Sequence, residues 1–235
     1  MNRKAVITGA TKGIGRAIAE IFAQNGFDLF VCARTTDDLD QMAAYWAKEF
    51  PACKLYTYAL DLKDKTAIAD FSKVISEKGK RVDVLVNNAG VYLPGNMTEE
   101  KEGQLEELIQ TNVYSAYYVT RHLLPLMLPH KHGHIFNMCS IASLAAYPDA
   151  GSYSVSKFAL LGFSKVLREE MKTKGLRVTA VLPGNTWSDA WKGATLPADR
   201  IMKAEDVAKA IWGCYALSDS AVVEELLIRP QLGDL

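Results

Sequence analysis

Tyr153 and Lys157 stand four positions apart in Gly151-Ser-Tyr-Ser-Val-Ser-Lys157. The run around them, residues 152–174, holds no proline and one glycine, Gly162. Positions i and i+4 of a helix share a face, so the spacing predicts a phenol and an ammonium side by side. A neighbouring cation favours the phenolate form of a tyrosine, which suits a residue that exchanges protons. The same spacing also suits a tyrosine lying on a lysine stem along an exposed helix.

Alternating elements are expected to position the pair. Short β-branched or apolar runs at residues 4–8, 28–33, 54–60, 82–87, 134–138, 176–182 and 222–228 read as strands. Helical runs at 13–25, 36–50, 64–78, 100–128, 152–174 and 203–217 separate them, the fourth interrupted near Pro125. Continuous apolar strands between helices predict an α/β fold. The expected architecture is one Rossmann-like, doubly wound domain over residues 1–235, a seven-stranded parallel sheet with helices on both faces. The least regular stretch, about 185–203, carries two tryptophans and reads as a lid over the substrate.

Composition narrows the function classes. Twenty-seven basic residues balance 27 acidic ones, so nothing in the charge suggests capture of nucleic acid or an acidic membrane surface. No apolar run reaches membrane-spanning length, and the first strand begins without a leader pattern. Four scattered cysteines with no CxxC pair read as thiols of a reducing compartment; a cytoplasmic protein is expected. His130-Lys-His-Gly-His134 lacks a cysteine or carboxylate at ligand spacing, so it reads as a solvated loop and no metal is expected. Ser154-Val-Ser-Lys157 matches S-x-x-K, but its companion motifs are missing.

The first strand turns into the first helix through Thr8-Gly-Ala-Thr-Lys-Gly-Ile-Gly15. Gly9 permits the tight turn, Gly13 a close approach of backbone to pyrophosphate, and Gly15 close helix packing. Amides at the helix start, around Thr11, Lys12 and Ile14, would face the phosphates. Strand two ends Ala33-Arg34-Thr35 with no acidic residue to bind a ribose 2′-hydroxyl. Arg34 and Lys12 instead suit a 2′-phosphate, so NADP(H) is expected rather than NAD(H). Asp61 and Leu62 are placed to meet the adenine edge; Asp61 would serve equally as a helix cap.

Asn87-Asn-Ala-Gly90 follows strand four. With the glycine turn and Tyr153-x-x-x-Lys157, it resembles the short-chain dehydrogenase/reductase family, in the family's order and spacing from residue 4 to about 229. The resemblance implies that Asn88, Ala89 and Gly90 lie against the cofactor. It implies a catalytic serine at the end of strand five, Ser140, with Ser143 a nearby alternative, and an asparagine at Asn112 holding a water that links Lys157 to solvent. It further implies a nicotinamide-side turn at Pro183-Gly184, with Ser188 or Thr186 as donor. The implied chemistry is hydride transfer between NADPH and a carbonyl. Tyr153 would handle the proton, Ser140 would orient the oxygen, and Lys157 would also bind ribose.

The resemblance places the substrate against Val91, Tyr92 and Leu93, against Leu144, Ala146 and Tyr147, and against Trp187 and Trp191. That apolar and aromatic set suggests a ketone or aldehyde with an apolar or ring portion. The family also implies a homodimer or homotetramer through the two long helices. Two rivals stand beside a carbonyl reductase: a 3-oxoacyl-(acyl-carrier-protein) reductase, whose glycine-rich ending this chain lacks, and a non-catalytic NADP-binding sensor, which would need none of Asn112, Ser140, Tyr153 and Lys157.

Overall fold

Every strand of the sheet is parallel, and the order is β3-β2-β1-β4-β5-β6-β7. The strands are β1 (Arg3–Thr8), β2 (Phe27–Ala33), β3 (Leu55–Ala59), β4 (Val84–Asn87), β5 (Gly133–Met138), β6 (Leu176–Pro183) and β7 (Glu225–Ile228). The helices are α1 (Gly13–Gln24), α2 (Thr36–Glu49), α3 (Lys65–Gly79), α4 (Gln104–Ile109), α5 (Ser115–Met127), α6 (Gly151–Met171) and α7 (Ala204–Tyr215). The computed structural model describes residues 2–188, 191, 193, 195–197 and 199–235. The expected lid therefore lies partly outside the described residues.

Two cores form because alternate strand residues point to opposite faces. Ile7, Leu29, Val31, Val84, Val86 and Phe136 meet α1, α2 and α7 through Phe22, Met42, Trp46 and Ile211. Their neighbours Val6, Phe30, Leu85 and Ile135 meet α3, α5 and α6 through Phe71, Ile75, Leu123 and Leu167. Strands buried on both faces need no alternation of polar residues, which explains runs such as Phe27-Asp-Leu-Phe-Val-Cys-Ala33.

A buried polar chain crosses the second core just below the strand ends. Asn87 Nδ2 donates to Thr120 Oγ1 at 2.9 Å and to Asn137 Oδ1 at 2.8 Å, and Asn137 Nδ2 donates to Ser164 Oγ at 2.9 Å. Asn87 and Asn137 are also register partners on β4 and β5. These bonds join two strands to α5 and α6 in a low-dielectric interior, where buried hydrogen bonds fix geometry, although Asn87 Oδ1 itself finds no partner among the described residues.

Three local expectations differ from the structure. The fourth helical run is broken at a π-helical segment, Gln110–Tyr114, and not at Pro125, which sits inside α5. Pro125 and Arg121 face solvent, so the carbonyl that Pro125 leaves without a donor is open to water. The cap of α3 is Asp64, which accepts from Thr66 and Ala67 amides; the Asp61 carboxylate accepts instead from Lys63 N, ahead of the helix. His134, shared by the loop reading of 130–134 and the strand reading of 134–138, falls to the strand: it is the second residue of β5 and fully buried.

His134 Nε2 lies 2.7 Å from Thr179 Oγ1 and its ring stacks on Phe136 at 3.9 Å. Burial, with the Arg177 charge beside it on β6, pushes its pKa well below the ordinary histidine value. The unfolded chain therefore binds a proton below about pH 6.5 that the folded chain refuses. Stability from this group is present above that pH and is lost as pH falls, by up to about 1.4 kcal/mol per pH unit for one proton. Urea unfolding between pH 7 and pH 5 should show this slope in the native chain, and His134→Gln should flatten it.

Candidate active site

The C-terminal ends of the parallel strands share one sheet edge, and the chain changes winding direction between β1 and β4. That switch point opens a crevice. A cavity of about 1080 Å³ occupies it, running from Arg34 and Thr35 at the end of β2 past the glycine turn to Tyr153 and Lys157 on α6.

The glycine turn is shaped by what touches it. Gly9 and Gly13 have φ of +65° and +54°, values that favour residues lacking a Cβ. A Cβ on Gly13 would find only Ser188 Cβ, at 3.8 Å, so bare backbone faces the cavity. Gly15 is different: a Cβ there would collide with the Gly9 carbonyl and the Asn88 amide. Asn88 Nδ2 holds the turn by donating to Thr8 O at 3.0 Å and Gly9 O at 2.9 Å. Thr8 Oγ1 in turn accepts from the Asn88 and Ala89 amides, both at 3.0 Å. Strands β1 and β4 are thus sewn together where the helix begins.

At the β2 end, Arg34 and Thr35 are exposed on the cavity wall. Lys12 Nζ pairs with Asp38 Oδ2 at 2.8 Å, in the first turn of α2. Asp61 and Leu62 also line the cavity, beside Lys63.

At the α6 end the polar groups are buried. Lys157 Nζ donates to Met138 O at 2.9 Å and lies 5.6 Å from the Tyr153 ring centroid. Asn112 sits in the π-helical segment and is 1% exposed. Its Oδ1 accepts from Val91 N at 2.8 Å, and its Nδ2 donates to Val91 O and Ser156 Oγ, both at 3.0 Å. Ser156 Oγ donates to Tyr153 O at 2.7 Å. A π turn at a functional position is a recurrent device; here it aims one amide at both the loop after β4 and the tyrosine's helix. Ser140 Oγ accepts from Ala142 N at 3.1 Å, which leaves its own proton to donate. Ser143 Oγ accepts from Ser140 N, and Ser143 does not line the cavity.

A strand-turn-helix glycine cradle, a Tyr-x-x-x-Lys pair and a strand-end serine share one crevice. A family model described as short chain dehydrogenase matches residues 3–197. The chain belongs to the short-chain dehydrogenase family. It is similar to a sepiapterin reductase of Chlorobaculum tepidum, 31% identical over 243 residues that span 100% of this chain and 99% of the relative. It is also similar to a 3-oxoacyl-(acyl-carrier-protein) reductase of Haemophilus influenzae, 30% identical over 92% of this chain and 91% of the relative. An alcohol dehydrogenase from Thermococcus sibiricus, solved with 5-hydroxy-NADP, superposes with a TM-score of 0.89 at 27% identity over 97% of each chain.

The remaining site residues of this short-chain dehydrogenase divide unevenly. Gly90, Pro183, Gly184, Thr186, Ser188, Tyr92, Tyr147 and Trp191 all line the cavity. Trp187 does not: its amide donates to Met202 O at 2.8 Å, and its residue lies off the cavity wall. Leu144 is also absent from the wall and exposed; Ile141 and Ala142 take its place. Tyr92 packs edge-on against Tyr153 with centroids 4.9 Å apart. Burial raises the Tyr92 pKa, helped by Tyr153 and Asp149. Asp38, Lys63, Asn185, Asp234 and Leu235 line the cavity as well. Asp38 had a visible signal, an acidic pair soon after Arg34; Asp234 had none.

Gly15→Ala should cost about 1–3 kcal/mol of stability, because rigid backbone and a committed amide must give way. Gly213→Ala, at a helical position where a Cβ meets open space, should gain up to about 1 kcal/mol. Urea unfolding of both variants checks the contrast.

Proposed function

We propose that the chain is an NADPH-dependent reductase of a neutral ketone or aldehyde. The observation that carries this reading is the shared cavity: the glycine cradle and Arg34 at one end, Ser140, Tyr153 and Lys157 at the other. The cradle fits a dinucleotide, since Gly13 leaves its backbone bare and Arg34, Lys12 and Thr35 lie where a 2′-phosphate would be read. The Thermococcus relative solved with an NADP derivative supports the same choice.

Bound there, the nicotinamide supplies a hydride to a carbonyl carbon. Tyr153 donates a proton to the carbonyl oxygen, so that carbonyl, NADPH and a proton give alcohol and NADP+. Ser140, with its oxygen already accepting from Ala142, donates to the same carbonyl oxygen and orients it. Lys157 is held by Met138 O close to the Tyr153 ring, where it also binds the nicotinamide ribose. Both hydrogens of the Asn112 amide are engaged, with Val91 O and Ser156 Oγ, and its oxygen accepts from Val91 N with a second lone pair to spare. A water held at Asn112 would link Lys157 to solvent.

The substrate end is walled by Val91, Tyr92, Ile141, Ala142, Tyr147 and Trp191. Among the described lining residues, the cations besides Lys157 are Lys12, Arg34 and Lys63, all at the β1–β3 side. Among the described lining residues, a substrate carboxylate or phosphate meets no cation near Tyr153 other than Lys157, which favours a neutral, partly apolar carbonyl compound. The oxoacyl reductase reading keeps support from the Haemophilus relative.

A second copy of the chain fits the outer face of α6. Val155, Phe158 and Val166 are 45%, 46% and 59% exposed. Gly162 lies between them at helical spacing, and Tyr114 and Tyr117 stand exposed on the neighbouring helix. Four unpaired thiols suit the reducing cytoplasm; burial raises Cys32 to about 12 and Cys139 to about 11.

Tyr153→Phe should lower turnover at least 100-fold and leave the NADPH dissociation constant within about threefold of the native value. A panel of ketones, aldehydes and β-ketoacyl thioesters, followed by NADPH absorbance, reads turnover. Retained activity in the variant would remove Tyr153 from the mechanism, and consumption confined to thioesters would favour the oxoacyl reductase. Arg34→Asp should weaken NADPH at least tenfold and leave NADH nearly unchanged, as measured by fluorescence titration.

A further inference from the structure

The turn after β6 forms one wall of the cavity, and it is held from outside its own element. Gly184 N donates to Ile228 O at 2.8 Å, and Asn185 N donates to Asp234 Oδ1 at 3.1 Å. The other carboxylate oxygen, Oδ2, accepts from the Arg229 guanidinium. A Cβ on Gly184 would collide with Asp234 Oδ1 and lie 3.1 Å from Pro230 Cδ. The Asp234 side chain is 6% exposed.

The same segment grips the far arm of the lid. Arg200 Nη1 donates to Gly233 O at 2.8 Å, and Nη2 to Asp234 O at 3.2 Å. Two residues on, Met202 N donates to Asn185 O at 3.0 Å and Met202 O accepts from Trp187 N at 2.8 Å. Residues 185–187, 200–202 and 229–234 are thus one hydrogen-bonded unit, with Asp234 bonded to all three parts through its side chain or carbonyl.

Apolar burial holds the segment after β7 only near its start. Leu232 and Leu235 are 77% and 57% exposed; Pro230 is buried. Its position depends on polar contacts, and a buried carboxylate is costly unless charged and hydrogen-bonding partners satisfy it. Arg229 and the Asn185 amide do so only in this arrangement.

We infer that Asp234 is a positioning residue that sets the wall against which the nicotinamide end of the cofactor and the substrate lie. The inference rests on the cofactor reading above. It acts through Asn185 and through the segment that carries Arg200, and it leaves the adenosine end untouched, since Lys12 and Arg34 sit in the turns after β1 and β2.

The test compares two ligands, NADPH and its adenosine fragment 2′,5′-ADP, by calorimetric titration of the native chain and Asp234→Asn. The expected result is a dissociation constant for NADPH raised tenfold or more with that for 2′,5′-ADP within twofold. A general loss of structure would move both. Should Asp234→Asn fail to fold, Arg200→Gln removes only the fork onto the two carbonyls, and the same selective weakening of NADPH, by threefold or more, is expected. Equal weakening of both ligands, or NADPH affinity within twofold of native, overturns the inference. A native chain that binds neither ligand overturns the cofactor reading and this inference with it.

Discussion

A wholly parallel sheet forces every strand to finish at one edge, and each return must pass over a face as a helix. Strand order then decides where that edge opens. From β1 the chain steps outward through β2 and β3, and only then crosses to β4 on the other flank. The helices after β1 and β4 diverge, and the loops at Gly9 and Asn88 stand on either side of the gap. Nothing else in the molecule would bring Arg34 and Tyr153, more than a hundred residues apart, to the same cavity.

An open crevice must still be held to a fixed shape. Buried and half-buried amides do this at the cavity wall and below it. Asn88 closes the glycine turn, Asn87 and Asn137 lock β4 to β5 and to two helices, and Asn112 ties the loop after β4 to α6. An asparagine offers both donors and acceptors on a short, neutral side chain. It bridges backbone segments in a dry interior without the desolvation cost of a charge. Lys157 is a buried charge beside the cavity. It is 7% exposed, and its ammonium finds the Met138 carbonyl at the end of β5.

What the sequence makes legible follows the range of the interactions concerned. Strands and helices depend on local periodicity, so seven strands and their parallel arrangement are readable, within a few residues at most ends. The glycine turn and the Tyr153–Lys157 pair are also short-range patterns. The π turn at residues 110–114 is not, because Gln-Thr-Asn-Val-Tyr has no signature distinct from an α-helix; the break is decided by Asn112 reaching Val91. Proline marks a helix break only where the lost bond matters, so Pro125 misleads. His134 looks loop-like among its charged neighbours, yet its position in β5 sends it inside. Trp187 is drawn away from the cavity by a main-chain bond to Met202, and only the folded chain brings that residue near. Asp234 is least legible of all, since its role exists only once β7 has delivered it beside Gly184.

The two ends of the cavity are restrained differently, and that bears on how specificity can change. On one side, the loop after β4 is stitched to the start of α6. Gly95 N donates to Asp149 O at 2.9 Å, Asn96 Nδ2 donates to Asp149 Oδ1 at 2.7 Å, and Glu100 accepts from the Ser152 amide at 2.8 Å and from its hydroxyl. The last of these acts as a cap for α6, whose own N-cap residue, Ala150, has no side chain to offer. Tyr92 is carried on this stitched loop, edge-on to Tyr153. Substitution among Tyr92, Tyr147 and Ile141 can therefore reshape the pocket without moving the tyrosine. On the other side, the turn after β6 takes its position from Asp234 and Arg200, outside the element that bears it. A change in the segment after β7 can shift that wall while β6, α6, Tyr153 and Lys157 stay where the sheet puts them.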